Sequence, residues 1–472
     1  MTPLRHVPRR RYRPTRGVTG LAAALLVATT AGACATGPQA QEADVLTVWN
    51  LDGQPERIAA MAQIDAGFTA ASGVRIDQVP VDEAQLPSLI VSAAVSGTMP
   101  DVIAGLPLGI VRQLAEQELL DTAAAAEVVE ELGADTFSPT ALELTRDGDT
   151  QLSVPAEVWA QILVYRQDLF DAAGLQPPTT YEAIEAAAEA LTTDGRYGIT
   201  LATDPADPFT QQTFESLALG NGCQLVDADG GVGLDDAACR TTFTLYDALA
   251  RRYSPKGTQT VDSTRATYFA GQAAMTIWST FLLDEMAGLR NDALPTCEEC
   301  RADPKWLAQN TGIVTAVQGP DGDEPVSFGE VTSWAITGSH GPAAADYVRH
   351  MMSEGYTDAL GIAPEGKYPA RTGDAQDPQR FATTWGSLPA GVDSREPLAD
   401  IYGKDTMDEI GRVATTLQRW AIPQGQGALL GPVTAELPIP KTISSMANGS
   451  LGAGDAAAEA ADAVEEIQRS LS

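Results

Sequence analysis

The sequence predicts an α/β protein folded as two lobes, and three observations carry that expectation. At 472 residues the chain exceeds what one hydrophobic core usually holds, so a division into two is expected. From Val45 onward short apolar strands alternate with helical stretches, the pattern of βαβ units and a largely parallel sheet. The run Gln151 to Leu191 breaks that rhythm. A β-rich segment, Gln151 to Val154, stops at Pro155, which cannot donate to a sheet ladder, and β character resumes at Ile162 to Tyr165.

Taken in order, Val45 to Trp49 alternates like a buried first strand, and Asn50 to Pro55 is the loop beyond its carboxyl end, where ligands collect in open α/β sheets. A helix from Glu56 to Ala71 ends at Gly73, and Val74 to Val79 is the next strand. Leu86 to Ser96 reads as a helix and Val102-Ile103 as entry to a third strand. After the break, a short helix ends at Gly174, Pro177-Pro178 enforces an extended link, and a cap-like Thr179 or Thr180 opens the Ala-rich helix to Leu191. Gly198 to Leu201 is expected as a strand, Gln211 to Leu219 as a helix, and Val226 to Val232 as a hairpin turn. Its Asp-x-Asp-Gly start lacks the remaining oxygen ligands of a calcium loop. Met275 to Trp278, Gly312 to Val314 and Gly329 to Ile336 supply further strands, and Asp455 to Leu471 an amphipathic last helix.

Residues 1–33 stand apart from this pattern. Six arginines without an acid precede an apolar run, Leu21 to Thr30, too short to span a membrane stably, as in a signal peptide. Ala31-Gly32-Ala33-Cys34 resembles a lipobox, in which a peptidase cuts before Cys34 and its thiol carries diacylglycerol, although Ala31 stands where leucine is usual. An ordinary secretory signal is the plainer alternative, and Arg9-Arg10 hints at twin-arginine export. Residues 34–44 would then be lipid anchor and tether. Six of the 30 Lys and Arg lie before Cys34 and none of the 63 Asp and Glu does, which leaves 24 against 63 and a charge of −39. Such a field repels nucleic acid and anionic lipid surfaces. Four cysteines remain, with three possible pairings, of which Cys223–Cys239 and Cys297–Cys300 are local in sequence. The first would close a loop of about 15 residues and contribute on the order of 3 kcal/mol by restricting the unfolded chain. A Cys₄ zinc site would need a second close pair of thiols beside Cys297 and Cys300, so no metal is expected.

Val154-Pro155, then Tyr165-Arg166, Phe170, Ala173-Gly174-Leu175 and Pro177-Pro178-Thr179-Thr180-Tyr181, closely resemble in this order the hinge-crossing segment of family 1 extracellular solute-binding proteins. These are the maltose-binding-like receptors of bacterial ABC importers. The family usually has asparagine where Arg166 stands. Further resemblances are Phe68 to Val74, Gly97 to Ile103, Tyr268 to Trp278, the helix Pro342 to Ser353 and the loop Pro364 to Arg371; the segments 301–325 and 374–400 depart most. The resemblance implies a type II periplasmic-binding-protein fold whose α/β lobes, 45–155 with 330–373 and 156–329 with 374–472, are joined by crossings near Val154 to Trp159, Ser327 to Glu330 and Gly373. It implies a receptor without a cofactor, lipid-anchored on the extracellular face and monomeric. Such a receptor binds a small carbohydrate in the cleft and delivers it to permease subunits driven by a separate ATPase.

The residues themselves offer little catalysis. His340 and His350 have no zincin spacing and no serine sits in Gly-x-Ser-x-Gly. Gly361 to Lys367 fits Gly-x4-Gly-Lys, but Tyr368 replaces the hydroxyl that would hold magnesium and Pro369 stops the helix that would cradle phosphate. A secreted glycoside-acting enzyme stays open as an alternative, since the spacing of its two carboxylates is a property of the fold; so does the same fold binding a polyol phosphate, polyamine or peptide. A sugar presents an apolar face and a rim of hydroxyls, so its site needs aromatic surfaces with fixed polar groups. Trp159, Trp278 and Trp49 are the aromatic candidates, each with core packing as its alternative, and Trp334 reads as packing. Asn50, Asp52, Glu157, Glu330, Thr332 and Arg371 are the polar candidates. Arg371 could offer a planar fork to vicinal hydroxyls or form a surface ion pair instead.

Overall fold

Period-two alternation sets the first strands between two apolar layers. In the structure, a computed structural model that describes residues 44–82, 85–338 and 342–471, strand β1 (Val45–Asn50) turns Leu46 and Val48 to one side and Trp49 to the other. Helix α1 (Pro55–Ser72) covers the first side with Met61, Ile64 and Phe68, and Gly73 at φ 80° ends it in the left-handed conformation that glycine adopts without strain. Helix α2 (Leu86–Ser96) covers the second side with Leu86 and Ile90. Strands β2 (Arg75–Pro80) and β3 (Val102–Pro107) flank β1 in parallel, as alternating βαβ units require. Helix α3 (Leu108–Glu116) leaves β3 without a loop. The leader, Cys34, the tether before Asp44 and His340 lie outside the described residues.

The rest of the sheet departs from the parallel expectation. Strand β4 (Val154–Arg166) is 13 residues long and runs antiparallel to β5 (Met275–Ser279), β6 (Thr311–Val314) and β7 (Ser327–Ile336), and to a short fourth strand. Strand β7 is also antiparallel to β3, while the two-residue strands β8 (Tyr368–Pro369) and β9 (Leu417–Gln418) pair with β4 and β7. The order is β8-β4-β7-β3-β1-β2, with β5 and β6 on the far half of β4. Pro155 does not end a strand, contrary to the sequence expectation. It pairs with Ser333, and the register shifts before Glu157, so the missing donor falls at a bulge.

That bulged strand passes between two cores. Val154 and Ala156 pack with the α1 layer, whereas Val158 and the residues after it pack in the larger core built by Phe214, Phe243, Tyr246 and Trp420. Strand β7 crosses in the opposite sense, with Phe328 and Val331 in the larger core and Trp334 and Ile336 in the α1 layer. Trp334 meets Tyr347 edge-on at 5.8 Å, the packing role read from the sequence. The chain near Gly373 makes no clean step, since Ala370 and Trp385 belong to the larger core and Phe381 between them to the other.

Farther along the chain, Gly198 to Leu201 is not a strand. Only the bridges Tyr197–Ala273 and Thr200–Thr276 form, and a Cβ on Gly198 would lie 2.0 Å from the Ala188 carbonyl oxygen of the neighbouring helix. The segment's other N–H groups are taken outside a ladder: Gly198 donates to the Thr192 hydroxyl, Ile199 to the Tyr253 carbonyl and Leu201 to the Ser254 hydroxyl. Val226 and Val232 bridge a turn in which Asp227 accepts the N–H groups of Asp229 and Gly231, so its carboxylate serves the turn. Both local cysteine pairs are bonded, Cys223–Cys239 and Cys297–Cys300.

Candidate functional site

The crossing strands bring polar side chains to the ends of the first-lobe strands. Beyond β1, the Asn50 side chain shapes the loop: its Oδ1 accepts the Asp52 N–H at 2.8 Å and its amide donates to Gln78 at 3.3 Å. Asn50 is thus a buried positioning group. The loop aims Asp52 at Lys367, whose Nζ lies 2.6 Å from Asp52 Oδ2 and 3.0 Å from Glu157 Oε1 on β4. Arg57, in the first turn of α1, holds the other Asp52 oxygen at 2.8 Å and stands 3.6 Å from Glu365. Its guanidinium also lies over the Phe281 ring, 5.5 Å from the centroid, and that ring sits where a Cβ on Gly366 would be. Burial pushes the Asp52 carboxyl up, but Lys367 and then Arg57 outweigh it and hold it at about 2. Lys367 is held above its ordinary value because Asp52 and Glu157 outweigh its burial.

Two residues along the crossing pair the chemistry changes. Thr332 faces Glu157 in register and its hydroxyl reaches the Glu157 carbonyl at 3.4 Å. Trp159 faces Glu330, half-buried, with its indole 6.1 Å from Phe328. Glu330 is buried and fully engaged: one oxygen accepts the N–H of Leu108, the first residue of α3, at 2.9 Å, and the other pairs with Arg419. Arg419 in turn binds Glu215 at 3.1 Å and stacks on Phe328 at 4.8 Å. Burial raises the Glu330 carboxyl, although Arg419 and the Leu108 amide oppose the shift. An acid at the start of a helix, with a buried guanidinium behind it, is a strut between elements.

The structure therefore gathers Asp52, Glu157 and Thr332, with Trp159 one strand step away. It leaves the others elsewhere. Trp278 lies in the second core, packed on Phe209 at 5.7 Å with its N–H donated to the Val261 carbonyl at 3.2 Å. Trp49 packs on the α2 side of the sheet. Arg371 corrects the expectation of a free fork: it is buried, its guanidinium donates to the Leu132 carbonyl at 2.9 Å, the Met352 carbonyl at 2.5 Å and the Thr136 hydroxyl at 3.0 Å, and Phe381 covers it at 5.3 Å. Its donors thus serve neighbouring segments of the chain.

Sequence reasoning missed Arg57, Lys367, Glu365 and Arg419. Lys367 and Glu365 sit in the run dismissed as a phosphate loop, and the dismissal of phosphate hid their use as ion-pair partners. Arg57 and Arg419 look like solvated helix and loop charges, and only the fold buries them. Among the described residues no group of three or more His, Cys, Asp or Glu is placed to hold a metal ion, and no helix is long and apolar enough to cross a membrane.

The model of the family described as bacterial extracellular solute-binding protein matches residues 53–291. YcjN of Escherichia coli (strain K12), named as an ABC transporter periplasmic-binding protein, is 27% identical over 289 residues, 60% of this chain and 62% of YcjN. The match thus spans less than two thirds of that relative. Among solved structures, maltose-bound MalE3 of T. maritima is similar with a TM-score of 0.67 and 16% identity, covering 90% of this chain and all of MalE3. A solute-binding protein of Thermotoga lettingae TMO with bound α-D-tagatose gives 0.68 and 17%, over 90% of this chain and 100% of that one. A sugar transporter protein of Arthrobacter chlorophenolicus A6 with bound laminaribiose gives 0.64 and 15%, over 89% and 99%. At these identities the likeness establishes the fold, the two-lobed type II architecture.

Proposed function

Given that this chain belongs to the bacterial extracellular solute-binding proteins, we propose that it is the receptor of an ABC importer and binds a carbohydrate, of one unit or several, between its lobes. The observation that carries this reading is the pairing of a half-exposed indole, Trp159, with the carboxylates of Glu157 and Asp52, whose side chains keep 13% and 19% exposure despite their ion pairs. A sugar ring would lay its C–H face on Trp159 and direct hydroxyls to the open lone pairs of Glu157, Asp52 and the Thr332 hydroxyl. The solutes named for MalE3 and for the Thermotoga lettingae and Arthrobacter proteins, maltose, tagatose and laminaribiose, support the class.

The lobes take the boundaries 45–155 with 330–373 and 156–329 with 374–472, and closure follows when one ligand contacts both, since only a difference in affinity for the closed form shifts the balance. The receptor is a monomer held on the outer face of the cell membrane through lipid on Cys34. It hands its solute to permease subunits powered by a separate ATPase and performs no chemistry of its own.

Melting curves across monosaccharides, polyols and α- and β-linked oligosaccharides test this, with the sugar recovered and analysed afterwards. A true ligand at a hundred times its Kd adds about 2.7 kcal/mol of stability and is recovered unchanged. No shift from the whole panel, or recovery of hydrolysed sugar, overturns the reading.

A further inference from the structure

Arg57 also lines a cavity of about 650 Å³, between α1, the segment 357–365 and the segment 388–395. Asp284 and Glu365 line it. Asp284 is 1% exposed, yet neither of its carboxyl oxygens makes a well-formed hydrogen bond, and the Oε2 of buried Glu365 also lacks one. Unpartnered carboxyl oxygens on a cavity wall carry a large desolvation cost unless something fills the space. The two arginines on the wall already have partners: Arg57 holds Asp52 at 2.8 Å and lies 3.6 Å from Oε1 of Glu365, which leaves Oε2 open, and Arg395 donates to the carbonyls of Gly361 and Pro389 at 2.6 and 2.7 Å.

We propose that this cavity seats an ammonium group, so that the solute this receptor prefers is an aminated sugar or polyol. The proposal rests on the receptor reading above and adds the chemistry of one substituent. Three unpartnered oxygens match the three N–H donors of an ammonium. A divalent metal ion would want six or more oxygen ligands, and two carboxylates do not supply them. A phosphate or carboxylate would meet Glu56, Asp284, Asp358 and Glu365 on the same wall. Ile64 and Val392 give the cavity an apolar side that strengthens a charge-assisted contact.

Burial keeps Asp284 largely neutral near pH 7. Burial pushes its carboxyl up to about 8, with the charges of Glu365 and then Glu285 adding and Arg290 opposing, and Tyr402 is the other titratable neighbour. An ammonium seated there ionises the carboxyl, and near neutral pH a proton leaves for solvent. Affinity for an aminated solute therefore rises as pH climbs from about 6 to 8, while that for its neutral twin does not follow.

Titration calorimetry of the protein at pH 7, in two buffers of different ionisation enthalpy, tests this with D-glucosamine, N-acetyl-D-glucosamine and D-glucose, and with the disaccharide of glucosamine against cellobiose. The aminated member of a pair is expected to bind at least about tenfold tighter and to release a proton. Asp284→Asn and Glu365→Gln, their folding checked by melting curves, each bring that ratio to about one. An amine no tighter than its neutral twin, or a preference that survives in both variants, overturns the proposal. Silent amines beside a neutral sugar that binds remove the ammonium site alone, whereas silence from these and the wider sugar panel removes the receptor reading as well.

Discussion

Two charge networks flank the crossing strands, and they differ in what they leave open. In Glu215–Arg419–Glu330 every partner is buried and the acids are also tied to backbone, Glu215 to the Trp420 N–H and Glu330 to that of Leu108. In Asp52–Lys367–Glu157 the lysine is buried and the acids nearly so, yet they keep some exposure, and Arg57 completes the cluster from α1. The first is closed to a solute because all three side chains are buried, even though one Glu215 oxygen has no partner, and it joins helix, strand and loop. The second has its cation fixed and its acids half available. Buried charge therefore marks scaffold in one place and site in the other, and the distinction lies in residual exposure.

The largest test of that contrast is Arg419→Met, which strands two buried carboxylates and is expected to cost about 3–5 kcal/mol in urea unfolding. A loss below about 1 kcal/mol would place the network with surface ion pairs. The tryptophans extend the comparison. Trp278→Ala, in the second core, should cost about 3–5 kcal/mol and spare sugar affinity; Trp159→Ala should cost less than about 2 kcal/mol and raise the sugar Kd at least about tenfold. The reverse pattern in paired melting and calorimetry would exchange their roles.

Acid resolves the site network by pH. Asp52 has a folded pKa near 2, below the ordinary 3.8, so its contribution is complete above the unfolded value and disappears as pH falls toward 2. The gap in urea stability between the protein and Asp52→Asn should therefore shrink from about 2 kcal/mol at pH 6 to near zero at pH 2. The smallest effect expected is for Arg371→Lys, which loses part of the donor set to Leu132, Met352 and Thr136. About 1–2 kcal/mol of stability should go while sugar affinity stays. A tenfold weaker Kd would restore Arg371 to the site.

Much of the architecture was legible from residue order. The βαβ start, the helix ends at Gly73 and Gly174, the Thr180 cap and the Trp334 strand follow from local rules that the structure obeys. Pro155 was misread because its effect depends on register: at a bulge the missing N–H costs little. Arg371 was misread for a related reason. A guanidinium looks the same in sequence whether its five donors meet hydroxyls or main-chain carbonyls, and residues more than 200 positions away decide which.

By itself the sequence determined the βαβ start, most helix ends and the family resemblance of the crossing segment, because these depend on neighbours within a few turns of chain; it left three cysteine pairings open and misplaced the strand at Gly198 to Leu201. Only the tertiary structure decided that Lys367 joins Asp52 to Glu157, that Arg419 is enclosed by two acids, and that Asp284 stands unpartnered at a cavity wall. Charge interactions act through space and through the exclusion of water. Neither separation nor burial is written in the order of residues, so the role of each ionised group was set when the two lobes packed around their shared strands.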